Sequence, residues 1–375
     1  MNNKIFIYFK NLNGLRFIAA FMVLVCHIEL NKKYFNLSNC RETTRYLGDL
    51  GVDLFFVLSG FLITFLLLKE KEIFNKINFK NFYFRRILRI WPLYYFVVIL
   101  SLFVLPKFEI FHVNGAFFKF QSYFEVIKII LLFVLILPNV LYIIKPINFS
   151  SQTWSIGVEE QFYLIWPVLI SKIKKYKAVF IFIILFYWIF YFFLNLEMLN
   201  RLPYFNFFKK IYILFRLDVL SIGALGAVLH HEKNKFCNLI NSNLIFIFCV
   251  IAVIFFYFYI PHNVKILRIV YAILFLIILL NLISNKYLEN LFEGNLLNHF
   301  GKISYGIYMY HKISIVLVIN LTIRFFGSIG VVENFLIYFF SIIITLIISH
   351  FSYVYFELPL LKIKERYSSF INKKT

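Results

Sequence analysis

Apolar stretches long enough to cross a lipid bilayer recur along this chain from Leu15 almost to its C-terminus, separated by short polar or basic loops. Only a helix or a closed barrel satisfies its backbone amides inside hydrocarbon, and roughly 20 helical residues cover the ~30 Å core. Ten spans are read: Leu15 to Leu30, Val52 to Leu68, Trp91 to Leu105, Trp154 to Ile170, Ala178 to Leu196, Ile211 to Leu229, Leu244 to Ile260, Leu267 to Ile283, Ile303 to Leu321 and Phe335 to Phe356. The expected fold is all-α, a polytopic transmembrane helical bundle forming a single integral-membrane domain over residues 1–375, with no soluble domain. Composition agrees, because 62% of the residues are hydrophobic and 15% charged, more apolar surface than a soluble domain of this length hides. Arg16 and His27 bracket the first apolar run, and no small-residue cleavage site follows it, so a permanent helix is expected there rather than a signal peptide.

An eleventh stretch, Val126 to Ile144, is apolar but carries Lys128, Pro138 and Asn139. If it spans fully, the run Lys172, Lys174, Lys175, Lys177 and the basic C-terminus fall outside, against the positive-inside rule. If it is re-entrant or interfacial, ten spans leave both termini cytoplasmic. The cytoplasmic segments then hold 23 Lys and Arg and the outer ones 12, setting aside Lys128, Lys145, Arg216 and Lys312. Ten spans in the cell membrane is therefore the reading adopted.

The net charge of +21 is spread over loops rather than gathered on one soluble face, which argues against nucleic acid and for membrane lipid and an anionic cofactor as partners. Cys26, Cys40, Cys237 and Cys249 lie in separate segments without CxxC spacing, so neither a metal site nor a disulfide framework is expected.

Ionisable groups within spans cost on the order of 2.5 to 3.5 kcal/mol each at the helix centre, so each one asks for a function. Eleven residue steps of about 100° return Arg16 and His27 to within roughly 20° of one face, about 16 Å apart. That face offers a cation at one end and an imidazole deep in the membrane, a separation matching an extended phosphopantetheine arm. Arg86 and Arg89 stand one turn apart before the third span, a pairing suited to phosphate. Glu159 and Glu160 lie beside Gln161 in the fourth span. Glu159, or Asp53 at the start of the second span, is a candidate to orient His27 as a general base, and Asp53 is equally placed to cap its helix. Arg216 with Asp218 reads as an internal ion pair. His311 lies mid-membrane with Tyr308 one turn away.

Taken in order, these motifs resemble acyltransferase family 3. The matching elements are Asn13-Gly14-Leu15-Arg16 leading to His27, Gly51-Val52-Asp53-Leu54-Phe55-Phe56-Val57-Leu58-Ser59-Gly60, Arg86-Ile87-Leu88-Arg89 with Trp91-Pro92, Thr153-Trp154-Ser155 with Glu159 and Phe162-Tyr163, Ser304-Tyr305-Gly306-Ile307-Tyr308 with His311, and Tyr355-Phe356-Glu357-Leu358-Pro359. The chain departs at Asn13, where the family often has Asp, and at Leu358. The resemblance implies ten helices and transfer of an acyl group from acyl-CoA, commonly acetyl-CoA, to a hydroxyl of a sugar, a surface-polysaccharide precursor, a lipid-linked carbohydrate or a similar acceptor, with no metal. On it, His27, Glu159 and Asp53 are the expected catalytic residues, and Arg16, Arg86 and Arg89 bind the cofactor. Trp154, Ser155, Tyr308 and His311 are expected to bind substrate. Some family members carry an extra extracytoplasmic hydrolase-like domain; none is read here, which implies action alone or with a separate partner. A transporter or flippase using the same intramembrane ions is the competing class, and a sugar polymerase a third; no inverted repeat and no long outer loop speaks for either.

Overall fold

The computed structural model describes residues 5–6, 8–113, 122–261, 266–327, 330–367 and 370–371. It is a helical bundle whose only strands among these residues are a two-residue parallel pairing that sets Ile5 opposite Phe370 and Phe6 opposite Ile371. The first span is α1 (Leu12–Tyr34). A single turn, α2 (Arg41–Thr44), leads into α3 (Leu47–Phe74), and α4 (Phe79–Ile99) follows after a four-residue loop. The side chain of Asn78 accepts from the Asn81 amide at 3.0 Å and so caps the start of α4, taking up one of the donors a helix leaves unpaired there. A π-helical turn, Leu100–Val104, prolongs α4.

The disputed eleventh stretch breaks in two, α5 (Tyr123–Val134) and α6 (Pro138–Ile144), with Ile136 in the left-handed region at φ 56° between them. At 1.5 Å per residue they reach only about 18 and 10 Å, so neither crosses a bilayer alone. The chain continues as α7 (Trp154–Lys172), α8 (Tyr176–Phe193), α9 (Phe205–Phe215), α10 (Leu217–His231) and the short α11 (Lys235–Ile240). After these come α12 (Asn243–Tyr259), α13 (Leu267–Ser284), α14 (Asn295–Lys302), α15 (Ser304–Phe326) and α16 (Val331–Ser352), and a π-helical turn joins the last of them to α17 (Leu358–Arg366).

Eight helical stretches among the described residues are long and apolar enough to cross a membrane. The other two predicted spans are α7, 19 residues that carry Glu159 and Glu160, and α12, 17 residues. The predicted span Ile211 to Leu229 is one departure from expectation. It is interrupted at Arg216, whose backbone is left-handed at φ 42°, because the guanidinium turns back to the carboxylates of Asp49 at 2.6 Å and Asp53 at 2.7 Å on α3.

The core lies where α3 meets α10 and α1. A Cβ added at Gly60 would stand 2.0 Å from the Leu220 carbonyl oxygen, and one at Gly223 would stand 2.2 Å from that of Val57. Two glycines thus let two backbones touch, the means by which membrane helices associate when lipid removes the hydrophobic drive between them. This contact fixes α3, and with it Ser59 and Asp53, in the middle of the molecule.

Candidate active site

One cavity of about 310 Å³ opens between α1, α3, α4, α7 and α15 and is bordered by Lys364 of α17. Its position follows from the antiparallel course of α1 and α3. The start of α1 brings Arg16, the middle of α3 brings Ser59 and its last turns Glu70, and the first half and midpoint of α4 bring Arg85, Arg86 and Arg89 to the same space. Ser155, Glu159 and Tyr163 of α7 and Tyr305 and Tyr308 of α15 complete the wall.

The charge in this cavity is unbalanced. Arg85 is the arginine that lies against Glu70, at 3.5 Å, and it also donates to the Tyr367 carbonyl at 2.8 Å. Among the described residues, the hydrogen bond of the Arg16 guanidinium is a 3.5 Å contact with the Asn13 side chain. Arg86 sits over the rings of Phe82 and Tyr163 at 5.6 and 5.5 Å, and its Nε is buried without a protein partner. Neither Arg16, Arg86 nor Arg89 has a carboxylate within salt-bridge distance among the described residues, where the arginine ion pairs are those of Arg85, Arg216 and Arg268. A desolvated cation costs free energy unless an anion meets it, so three such cations facing one space mark a place for an anionic ligand. At the rim, Tyr8 donates to Glu293 at 2.8 Å; burial and that carboxylate push its hydroxyl up to about 12, and it stays a donor at neutral pH.

Glu159 lies in this cavity and not beside His27. Its Oε1 accepts from Ser59 at 2.8 Å and its Oε2 from Tyr163 at 3.2 Å, while the adjacent Glu160 accepts from the Trp91 indole at 2.9 Å. Ser155 and Tyr308 close the inner end. Their hydroxyls lie 2.6 Å apart, and Tyr308 also donates to the Gln152 carbonyl at 2.8 Å.

His27 does not line the cavity. Its ring packs edge-on against that of His311, with centroids 4.8 Å apart, and His311 in turn stands 6.0 Å from the Tyr308 ring. The expected pairing of Asp53 with His27 is corrected here, since Asp53 is occupied by Arg216, and the hydrogen bond of His27 goes to the Val23 carbonyl. Arg216 is likewise not paired with Asp218, which binds Arg268 at 3.2 Å. Trp154 covers the Arg216 guanidinium at 5.1 Å and lies outside the cavity. Thus the structure gathers Arg16, Arg86, Arg89, Glu159, Ser155 and Tyr308 in one space and His27 with His311 beyond its inner end, leaving Asp53 and Trp154 in a separate cluster. Ser59, Tyr163 and Lys364 went unnoticed as site residues. Ser59 carries a signal only in hindsight, as a polar residue inside an apolar run.

With this arrangement in view, comparison with known proteins defines the class. The model of the acyltransferase domain matches residues 9–354, and the chain belongs to acyltransferase family 3, as a multi-pass membrane protein. A Staphylococcus aureus (strain COL) protein named as a candidate O-acetyltransferase is 34% identical over 188 residues, 47% of this chain and 28% of its own. Peptidoglycan O-acetyltransferase OatA of Listeria monocytogenes is 32% identical over 185 residues, 45% of this chain and 25% of that protein. An uncharacterized Haemophilus influenzae protein is 31% identical over 201 residues, 49% of this chain and 76% of its own. The chain therefore matches little more than a quarter of the length of the two named relatives. No solved structure matches it significantly.

Proposed function

We propose that this protein is an O-acetyltransferase of the cell membrane, with both termini cytoplasmic, that moves an acyl group from acyl-CoA, most simply acetyl-CoA, to a hydroxyl of a carbohydrate or lipid-linked acceptor. The observation that carries this reading is the convergence of Arg16, Arg86 and Arg89, none with a carboxylate partner, on a cavity that runs inward to Ser155 and Tyr308. Guanidinium forks suit the phosphates of coenzyme A, and the apolar residues between them suit its extended arm. The names of the two matched relatives accord with O-acetyl transfer.

In the proposed reaction His27 Nε2 removes the acceptor hydroxyl's proton as oxygen attacks the thioester carbon. An alcohol with a pKa far above 7 attacks poorly unless its proton leaves as the bond forms, and a neutral imidazole is matched to that task. The tetrahedral intermediate then expels the thiolate, which takes the proton from His27. Glu159, bridged to Ser59 and Tyr163, keeps the inner half of the donor site polar and orients the arm. No step calls for a metal.

The test is acyl transfer by His27→Ala in membranes with matched protein levels. The expected result is a folded, inserted protein that has lost a factor of about 100 to 10,000 in rate. Turnover near the parent level would reject the mechanism.

A further inference from the structure

The two histidines beyond the cavity share an unusual constraint. A backbone carbonyl can only accept a hydrogen bond, so the Nδ1 of each ring, held 2.9 Å from the Val23 oxygen in His27 and 2.8 Å from the Tyr308 oxygen in His311, must carry the hydrogen. Each neutral ring therefore presents a bare Nε2, an acceptor and not a donor. His311 is 1% exposed, and its Nε2 is buried with no hydrogen-bond partner among the described residues. A buried acceptor left unpaired is unfavourable and calls for an explanation. A histidine present only for packing would have been served as well by an apolar ring. The ring packed edge-on against that of His311, with centroids 4.8 Å apart, is that of His27.

We propose that His311 is a positioning residue that works through His27. In the resting state the two bare nitrogens have no proton to share. When His27 Nε2 takes the hydrogen of the acceptor hydroxyl, the O–H bond breaks, the oxygen's electron pair forms the new C–O bond, and His27 becomes an imidazolium with a hydrogen on Nε2. His311 Nε2 then accepts a hydrogen bond from that group and holds the charge on His27 while the intermediate exists. As the C–S bond breaks its electron pair goes to sulfur, the proton returns from His27 to the thiolate, and both nitrogens are bare again. The interaction exists only while charge is present, which is the condition for lowering a barrier without tightening ground-state binding. The proposal rests on the assignment of His27 as base.

His311→Asn separates this role from packing, because the Asn amide can still donate to the Tyr308 carbonyl but has nothing at the Nε2 position. The assay uses membranes containing the full chain at matched levels of folded protein, supplied with radiolabelled acetyl-CoA, and follows alkali-labile label entering endogenous acceptors. The expected result is a rate at saturating donor lowered on the order of ten- to a hundredfold, as for loss of a hydrogen bond to a charged group, with the donor KM unchanged. His311→Ala should be equally slow and should recover in part when millimolar imidazole is added. A parent-like rate for His311→Asn with an inactive His27→Ala overturns the pairing and leaves the base assignment standing. An active His27→Ala removes the base assignment itself. A slow His311→Asn together with a His311→Ala that imidazole does not restore also overturns the pairing, because it assigns His311 to packing.

Discussion

Arg89→Ala gives the sharpest separation of ligand binding from folding. Arg89 lines the cavity and is one helical turn from Arg86, yet its guanidinium has no carboxylate partner among the described residues, in contrast to Arg216, which two aspartates hold. Removing it therefore breaks no direct ion pair. It relieves repulsion from Arg16 and Arg86 and gives up attraction to the buried carboxylates of Glu159 and Glu357, so the two effects offset and the melting temperature should change little. A charge-assisted hydrogen bond to phosphate contributes about 1.5 to 3 kcal/mol, and at 1.4 kcal/mol per decade this is roughly a ten- to hundredfold rise in donor Kd. Arg89→Glu adds repulsion of the phosphates and should weaken binding further. Binding of acetyl-CoA to purified protein in nanodiscs, by calorimetry, reads the effect, and a thermal melt of the unliganded protein supplies the control. Parent-like affinity in an intact Arg89→Glu protein would refute the donor site. Lowered affinity with an equally lowered melting temperature would refute the argument that Arg89 is held for the ligand alone.

Three further outcomes follow from the same geometry. Gly60→Val should destabilise the bundle by at least the ~1 to 3 kcal/mol of an overpacked core, since its side chain meets the Leu220 backbone; unchanged detergent-melting behaviour would contradict the close crossing of α3 and α10. Arg216→Met strands the buried Asp53 carboxylate and should cost about 3 to 5 kcal/mol, whereas Asp53→Asn keeps a neutral acceptor for Arg216 and should cost less; equal losses in unfolding experiments would count against the ion pair. Cysteines placed between Lys172 and Lys177 should react with membrane-impermeant reagents only after the cytoplasmic side is opened, and labelling from outside intact cells would sink the ten-span topology.

Much of the fold was legible because a bilayer leaves few choices. Any run long and apolar enough must be a helix, and all ten predicted spans contain one. The stretch from Val126 to Ile144, set apart in the sequence by Lys128, Pro138 and Asn139, is the one where the helix breaks, at Ile136. What could not be read was pairing across the bundle. Arg216 and Asp218 are two residues apart in sequence, and proximity along the chain suggested a bond, but residues i and i+2 point to different sides of a helix. Arg216 reaches α3 only because its own backbone leaves the helical region, and no local pattern signals that. Glu159 posed the same problem: its depth along α7 was apparent, but the side it faces depends on how α7 rotates against α3. The arginines were easier, since Arg16 lies near the start of α1 and Arg86 and Arg89 precede the third predicted span, and the fold had only to bring those two segments together.

On the proposed mechanism, the separation of the arginine cavity from the histidine pair sets Tyr308 between donor and base. Arg16 and His27 lie on one helix, about 16 Å apart along its axis, so a donor held at Arg16 must extend past the inner end of the cavity before its thioester meets His27. Tyr308 stands in that interval, held by Ser155 and the Gln152 carbonyl and flanked by the rings of Phe55 and His311. Two neutral hydrogen bonds hold the hydroxyl, each with a net contribution of about 0.5 to 1.5 kcal/mol. Their release is thus small against the energy an arm bound along the cavity and three phosphate-binding arginines supply. The same helix turn fixes the His311 tautomer through the Tyr308 carbonyl. On that mechanism, rotation of the Tyr308 side chain about its own Cα–Cβ bond would open the way to His27 without disturbing that carbonyl. The acyl group would then reach the proposed base while the histidine pair keeps the tautomers that make it basic.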